Sequence, residues 1–243
     1  MSVNRPQTMK PLLYLAAGEQ PPAERVLQAV QATVVDATTL QSRPRLRHHG
    51  KGQSACLILA RIGPAEGTDV EGLSALLADI DGVVLTACRG PADIQKLDVM
   101  LKVAEAAAGI PQGRTALLAE YATVAESVLS PHAMVGVSPR LSALIFDASA
   151  LAEACGCQRV TGTGDVPAAV RAGRAAVVLR AREAGIAAYD MLPADAVDEA
   201  SVQRLWTNSL ENGFSAVASR SPLQIDLLAE ARALRETSVL GQI

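Results

Sequence analysis

The chain has 243 residues, a net charge of −3, 49% hydrophobic residues and only 2% aromatic ones, with a mean hydropathy of +0.21. This balance excludes a basic nucleic-acid-binding field and leaves material for a large aliphatic core of Ala, Val, Leu and Ile. No apolar run approaches the roughly 18 residues needed to span a bilayer, and the N-terminus lacks the apolar stretch of a secretory signal. Cys56, Cys88, Cys155 and Cys157 form no Cys-x-x-Cys knuckle, so reduced thiols in a cytoplasmic protein are expected rather than a zinc site.

In chain order, the short apolar run Leu12 to Ala16 predicts a first strand. Pro21-Pro22-Ala23-Glu24 opens a helix carrying Val26, Leu27 and Val30, since proline is tolerated in a first helical turn. Ala32 to Asp36 is the second strand. Residues 37–54 are polar and basic (Arg43, Arg45, Arg47, His48, His49, Lys51) and read as a loop. Gly50-Lys51-Gly52-Gln53-Ser54 lacks the spacing and order of a phosphate loop, and the His48-His49 pair reads as solvated. Cys56 to Arg61 is the third strand, followed by a helix over Val70 to Leu77 with Leu73, Leu76 and Leu77 on one stripe. Asp81 to Leu85 is the fourth strand. Asp93 to Ala107 repeats apolar residues at threes and fours and stops at Gly109 and Pro111.

The fifth strand, beginning at Thr115, ends on Glu120, and a helix through Val124, Val128 and Leu129 comes after it. The sixth, from Ser142, ends on Asp147. Thr161-Gly162-Thr163-Gly164-Asp165 reads as a connecting loop rather than a dinucleotide fingerprint. A helix over Val166 to Glu183 is stopped by Gly185. Ile186 to Asp190 is the seventh strand, a helix spans Ser201 to Leu210, Gly213 to Ala218 is the eighth strand, and Pro222 to Leu234 the last helix. Eight strands alternating with helices, with no linker between them, predict an α/β chain forming a single (β/α)8 TIM barrel over residues 1–243, a usual size for that fold.

Chemistry in such a barrel is done at the C-terminal ends of the strands. Those ends carry Asp36, Arg61, Glu120, Asp147 and Asp190. An arginine facing carboxylates implies a small anionic substrate, gripped through two parallel hydrogen bonds, and makes Arg61 and Glu120 the candidate catalytic pair. Glu120 and Asp147 are also candidate ligands for a hard cation such as Mg²⁺, which takes one or two protein carboxylates and completes its shell with water and substrate. That ion would polarise a keto oxygen. Against this stands a structural alternative: a carboxylate ending a strand also caps the next helix, and Arg61 would then serve as its partner. Asp36, Asp190 and Cys88 are candidates for metal-independent chemistry.

Several segments carry a family resemblance. Ala60-Arg61-Ile62, Glu120 at its strand end, Val137-Ser138-Pro139-Arg140-Leu141 with Leu144-Ile145-Phe146, the run Ala181 to Asp190, and Gly213-Phe214 through Ile225 together resemble the citrate lyase β-subunit-like branch of the HpcH/HpaI aldolase family. The likeness covers nearly the whole chain. It implies a phosphoenolpyruvate/pyruvate-type barrel, a carbon–carbon lyase of the citrate lyase β or malyl-CoA lyase kind, Mg²⁺, an oxo-acid or CoA thioester as substrate, and a homo-oligomer, a trimer by analogy. It also assigns a substrate-carboxylate role to Arg61 and a metal role to Glu120. The departures concentrate at one rim. Where the family's second metal-binding Asp and the Glu before it are expected, this chain has Ala150 and Ser149. Its Lys and His near the eighth strand are Val217 and Ser221, and its Pro-Lys-x-Glu is Thr86-Ala87-Cys88-Arg89. Two readings stay open: a divergent carbon–carbon lyase-like protein with a partly lost metal site, and a catalytically inactive paralogue serving as a binding or assembly subunit.

Overall fold

A computed structural model describes residues 9–16, 18–20, 22–38, 56–65 and 67–240, with the backbone alone for 234–240. Eight parallel strands close into a barrel in sequence order: β1 (Leu12–Leu15), β2 (Ala32–Asp36), β3 (Leu57–Ile62), β4 (Gly82–Cys88), β5 (Ala116–Tyr121), β6 (Leu141–Phe146), β7 (Ala187–Met191) and β8 (Ala216–Ser219). The helices are α1 (Glu24–Ala29), α2 (Val70–Leu77), α3 (Pro91–Ala107), α4 (Ala125–Leu129), α5 (Ala148–Ala154), α6 (Ala168–Ala184), α7 (Glu199–Glu211) and α8 (Pro222–Leu240). The (β/α)8 expectation therefore holds, with one refinement of the alternation. The β6–β7 crossover carries two helices, α5 and α6, and α5 is short enough to escape the periodicity. The basic stretch expected as a loop, including His48, His49 and Gly50 to Ser54, lies outside the described residues. No helix among the described residues is long and apolar enough to cross a membrane.

Side chains alternate across each strand, and this parity sorts the core into layers. Inside the barrel lie Leu12 and Tyr14 of β1, Ala32 and Val34 of β2, Leu59 of β3, Val84 of β4, Leu118 of β5, Ala143 and Ile145 of β6, Tyr189 and Met191 of β7, and Ala216 and Ala218 of β8. Small residues face large ones, so four alanines leave room for two tyrosine rings and the interior is filled rather than hollow. The intervening residues, such as Val35, Ala60, Leu85, Leu117, Leu144 and Phe146, pack outward against Leu73, Leu97, Leu101 and Val177 of the helices. The β1–β8 seam is the thinnest, with Leu12 opposite Ala218 and Leu13 opposite Ser219.

The N-terminal floor of the barrel is held by a buried ion cluster. Arg140, just before β6, donates through Nε to Asp98 at 2.8 Å and through Nη1 and Nη2 to Glu105 at 2.7 and 2.6 Å. Its side chain is 2% exposed and that of Glu105 fully buried. Glu105 also accepts from the backbone amides of Gly113 and Thr115. Asp98 and Glu105 stand on the buried stripe of α3 beside Leu97, Leu101 and Ala104, so the cluster rivets that helix to the feet of β5 and β6. Burial alone would raise the Glu105 carboxyl. The Arg140 guanidinium and the two amides outweigh it and hold the group at about 2, against an ordinary 4.5.

A carboxylate with a depressed folded value contributes fully above its unfolded value and loses that contribution as pH falls toward the folded one. For Glu105 the displacement from 4.5 to about 2 corresponds to about 3 kcal/mol, given up between roughly pH 5 and pH 2. Arg140→Met leaves two buried acids short of a partner and should cost about 3–5 kcal/mol at neutral pH, while flattening the acid limb of the stability profile. Urea denaturation across that pH range reads both; a variant as stable as the parent would remove the cluster from any structural role.

Candidate active site

Continuing the interior parity by one residue at each C-terminal end brings a polar layer together above the apolar one. In β2 it is Asp36, which stands opposite Arg61 of β3; in β5 it is Glu120, opposite Ile145 of β6. Arg61 is the centre. Its Nε donates to Glu120 Oε1 at 2.7 Å and its Nη2 to Oε2 at 2.9 Å, while Nη1 reaches Asp36 Oδ2 at 3.4 Å. The Glu120 side chain is 7% exposed and that of Arg61 26%, so the pair is screened little by solvent. Hydrogen bonding to Glu120 lifts the already high guanidinium pKa further. Partial burial would raise Asp36, but its bonds from the Thr38 hydroxyl and amide, together with Arg61, hold it below the usual carboxylate range.

Asp147 belongs to the same end but to a different pair. Its Oδ1 accepts from the amides of Ser149 at 2.9 Å and Ala150 at 3.2 Å, capping α5, and its Oδ2 takes Arg220 Nη2 at 2.5 Å. Arg220 comes after β8 in step with Ala216 and Ala218, and its guanidinium lies 5.8 Å from the centre of the Tyr14 ring. Arg61, Glu120 and Arg220 all act electrostatically on the Tyr14 hydroxyl, so Tyr14 joins the two ion pairs. Arg61 and Glu120 thus meet directly, and Asp147 is linked to them through Arg220 and Tyr14. Strand-end reading of the sequence misses Tyr14 and Arg220, although the alternation Ala216, Ala218, Arg220 carries the signal for the latter.

Two of the metal-independent candidates are corrected. Asp190 stands next to the inward-facing Tyr189 and therefore points outward, where it accepts from Arg174 of α6 and Ser209 of α7 at 2.7 Å each. It forms part of a groove of about 660 Å³ that also runs along α6 and α7, on the outer side of β7. Burial raises its carboxyl above the ordinary range despite Arg174. Cys88 should face inward by strict alternation, but the register shifts between Leu85 and Cys88, with Ala87 at φ 46°. The shift turns Cys88 into the outer layer, fully buried, where desolvation pushes its thiol up to about 12; a thiol so disposed is a poor nucleophile. Ala122, just beyond Glu120, also has a positive φ, 56°. Backbone strain in non-glycine residues thus sits where β4 and β5 reach the mouth, a setting in which it often accompanies function.

A resident Mg²⁺ requires carboxylate oxygens free to turn toward it. Both oxygens of Glu120 hold Arg61, and the oxygens of Asp147 hold the α5 amides and Arg220. Among the described residues no three His, Cys, Asp or Glu side chains converge as a metal cluster. As paired here, each carboxylate faces a guanidinium, so Glu120 and Asp147 would hold a divalent cation only by giving up Arg61 and Arg220.

The cap on α5 gives a direct test of what Asp147 does. Asp147→Ala removes the cap and strands Arg220, and should cost about 1–2 kcal/mol. Asn caps as well as Asp, and the half-exposed Arg220 pair is worth at most about 1 kcal/mol, so Asp147→Asn should keep most of the stability in chemical denaturation. Equal losses in the two variants would show that charge, not capping, is the role.

No protein-family model matches the sequence, and no curated protein matches it. Solved structures do. Haloferax volcanii malate synthase in its lead(II) complex is similar with a TM-score of 0.70 at 16% identity, over 91% of this chain and 72% of that one. RipC from Yersinia pestis is similar with a TM-score of 0.65 at 21% identity, over 91% and 94%. The citrate lyase β-subunit of Mycobacterium tuberculosis, complexed with oxaloacetate and magnesium, is similar with a TM-score of 0.64 at 17% identity, over 92% and 96%. The family resemblance carried by the sequence and the likeness in structure thus meet on one fold, the (β/α)8 barrel of malate synthase and the citrate lyase β-subunit.

Proposed function

We propose that this chain is a divergent carbon–carbon lyase-like protein whose barrel mouth receives a small oxo-acid or the acyl end of a CoA thioester, with Arg61 gripping the carboxylate. The observation that carries this reading is the two-bond pair between Arg61 and Glu120. A carboxylate already occupies the guanidinium fork in the geometry that an anionic substrate would adopt. The resemblance to citrate lyase β-subunits supports it, as does the oxaloacetate bound in one of the structures similar to this chain.

Substrate would enter by exchange. Its carboxylate replaces Glu120 at Arg61, so one charged pair is traded for another of similar strength. Glu120 is then left in a site with little access to water, and an unpaired buried charge costs about 3–5 kcal/mol. Its release is therefore the main opposing term, and the unmodified chain should bind small oxo-acids weakly. The guanidinium orients the acid, the walls of the mouth exclude water, and the freed Glu120 stands as a carboxylate beside the bound molecule, able to hold a proton.

The same ion pairing favours the second reading, a non-catalytic binding or assembly subunit, because Glu120 and Asp147 are both consumed by arginines and Ser149 and Ala150 stand where further acids would be. Turnover of a malyl- or citryl-type thioester by the purified chain separates the two: measurable cleavage retires the non-catalytic reading.

Calorimetric titration with pyruvate or oxalate tests the receptor itself. Glu120→Gln removes the competing charge and should tighten binding by an order of magnitude or more. Arg61→Ala should weaken it by about 2–5 kcal/mol, the range for a lost partner of a buried charge. Binding that is unchanged in both variants would rule out the Arg61 receptor.

A further inference from the structure

The mouth contains a polar group that the ion pairs leave over. The Tyr14 hydroxyl is buried and has no hydrogen-bond partner among the described residues, in a side chain only 6% exposed. The other orphaned side-chain oxygen, that of Thr123, lies beyond the end of β5. Tyr14 is different in being surrounded by the mouth's charges: Glu120, Arg61 and Arg220 are its electrostatic neighbours, and the Arg220 guanidinium covers its ring. Burying a hydroxyl without a partner is unfavourable. Phenylalanine would fill the same volume in this apolar layer, so packing does not account for the oxygen.

We infer that the Tyr14 hydroxyl is a specificity contact that donates a hydrogen bond to the keto oxygen of a bound 2-oxo acid whose carboxylate is held by Arg61. The inference rests on the reading of Arg61 as the carboxylate receptor and adds a distinction that Arg61 alone cannot make. A guanidinium treats all small monocarboxylates alike. A buried donor beside it separates those with an oxygen on the adjacent carbon from those with a methylene there, because the methylene leaves the hydroxyl unpaired on a surface closed to water. The phenol is suited to this. Desolvation, and after it the nearby Glu120 charge, hold its pKa well above the ordinary value of 10, so at neutral pH it is a neutral donor. Glu120 acts on the hydroxyl through its charge and as a nearby hydrogen-bond acceptor, but while both its oxygens are held by Arg61 that bond is not closed. A ligand oxygen therefore breaks no closed bond of the unliganded mouth; once the incoming carboxylate frees Glu120, the keto oxygen competes with it for the phenol, and Glu120→Gln takes the charge out of that competition.

Pyruvate and propanoate differ at that one position and serve as probes. Their affinities would be measured by calorimetry on the full chain, in the parent and in the Glu120→Gln background so that weak binding does not mask the comparison. Tyr14→Phe should lower the affinity for pyruvate about tenfold, one hydrogen bond's worth, and leave that for propanoate unchanged. Because the hydroxyl has no partner in the unliganded protein, the same variant should melt at the parent temperature or above it. An equal loss for both acids, no loss for either, a lowered melting temperature, or no measurable pyruvate binding in either background would each overturn the inference. Arg61→Ala isolates the reading beneath it. Loss of both acids upholds the carboxylate receptor. If Arg61→Ala spares both while Tyr14→Phe still discriminates between them, the receptor reading fails and the keto-oxygen contact stands without it.

Discussion

Arg61 lies with one edge of its guanidinium along Glu120, and the upper layer of the barrel is arranged around that contact. Five charged side chains project into a space whose floor is aliphatic. Had they been left unpaired, desolvation would have pushed the strand ends apart or drawn in water. Arg61 answers Glu120 and Asp36, and Arg220 answers Asp147, so the charges compensate one another within the mouth. The neutral Tyr14 between them keeps the two arginines from facing each other bare. Similar folds carry varied chemistries at the same rim; in this chain the rim charges are spent on each other.

Much of this was legible in the residues. Ala32 to Asp36 and Val70 to Leu77 form the very elements their patterns predict, because each apolar set has a clear period and a clear stop. Arg61 and Glu120 were legible because an ion closing an apolar run has few other places to go. Asp190 misled because being last in a run says which end of a strand a residue occupies and not which face. Tyr189 takes the inside, so its neighbour takes the outside. Cys88 misled for a related reason, since a single bulge at Ala87 inverts the face of the residue after it. Tyr14 was concealed by resembling ordinary core, and Arg220 by standing one residue past the apolar run that marks its strand. Arg140 was visible only as part of a motif. Its two acids, Asp98 and Glu105, lie on the same stripe of α3 as the leucines, and acids on an apolar stripe are the sign of a buried cation.

The two ends of the barrel use the same chemistry to different effect. At the floor, Glu105 is fully supplied by Arg140 and by the amides of Gly113 and Thr115, and nothing there is left to bind. At the mouth, the Tyr14 hydroxyl is left without a closed bond and the backbone is strained at Ala87 and Ala122. A saturated polar cluster fixes geometry, whereas an unsaturated one leaves an opening for another molecule. The division matches the general one in these barrels, with stability below and chemistry above.

The thin seam between β1 and β8 has a consequence for how the molecule assembles and loosens. It joins Leu12 to Ala218 and Leu13 to Ser219, residues from opposite ends of the chain, so its closure carries the largest loop entropy of any strand pairing in the barrel. The other strand pairs form between near neighbours in sequence and can be built progressively. This one waits for all of them and gains little when it forms. It is therefore the natural last step in folding and the first line along which the closed sheet parts. Tyr14 and Arg220 stand on its two sides, stacked across the gap. The mouth and the weakest join of the barrel are the same place, and whatever holds the ring against the guanidinium also holds the cylinder shut.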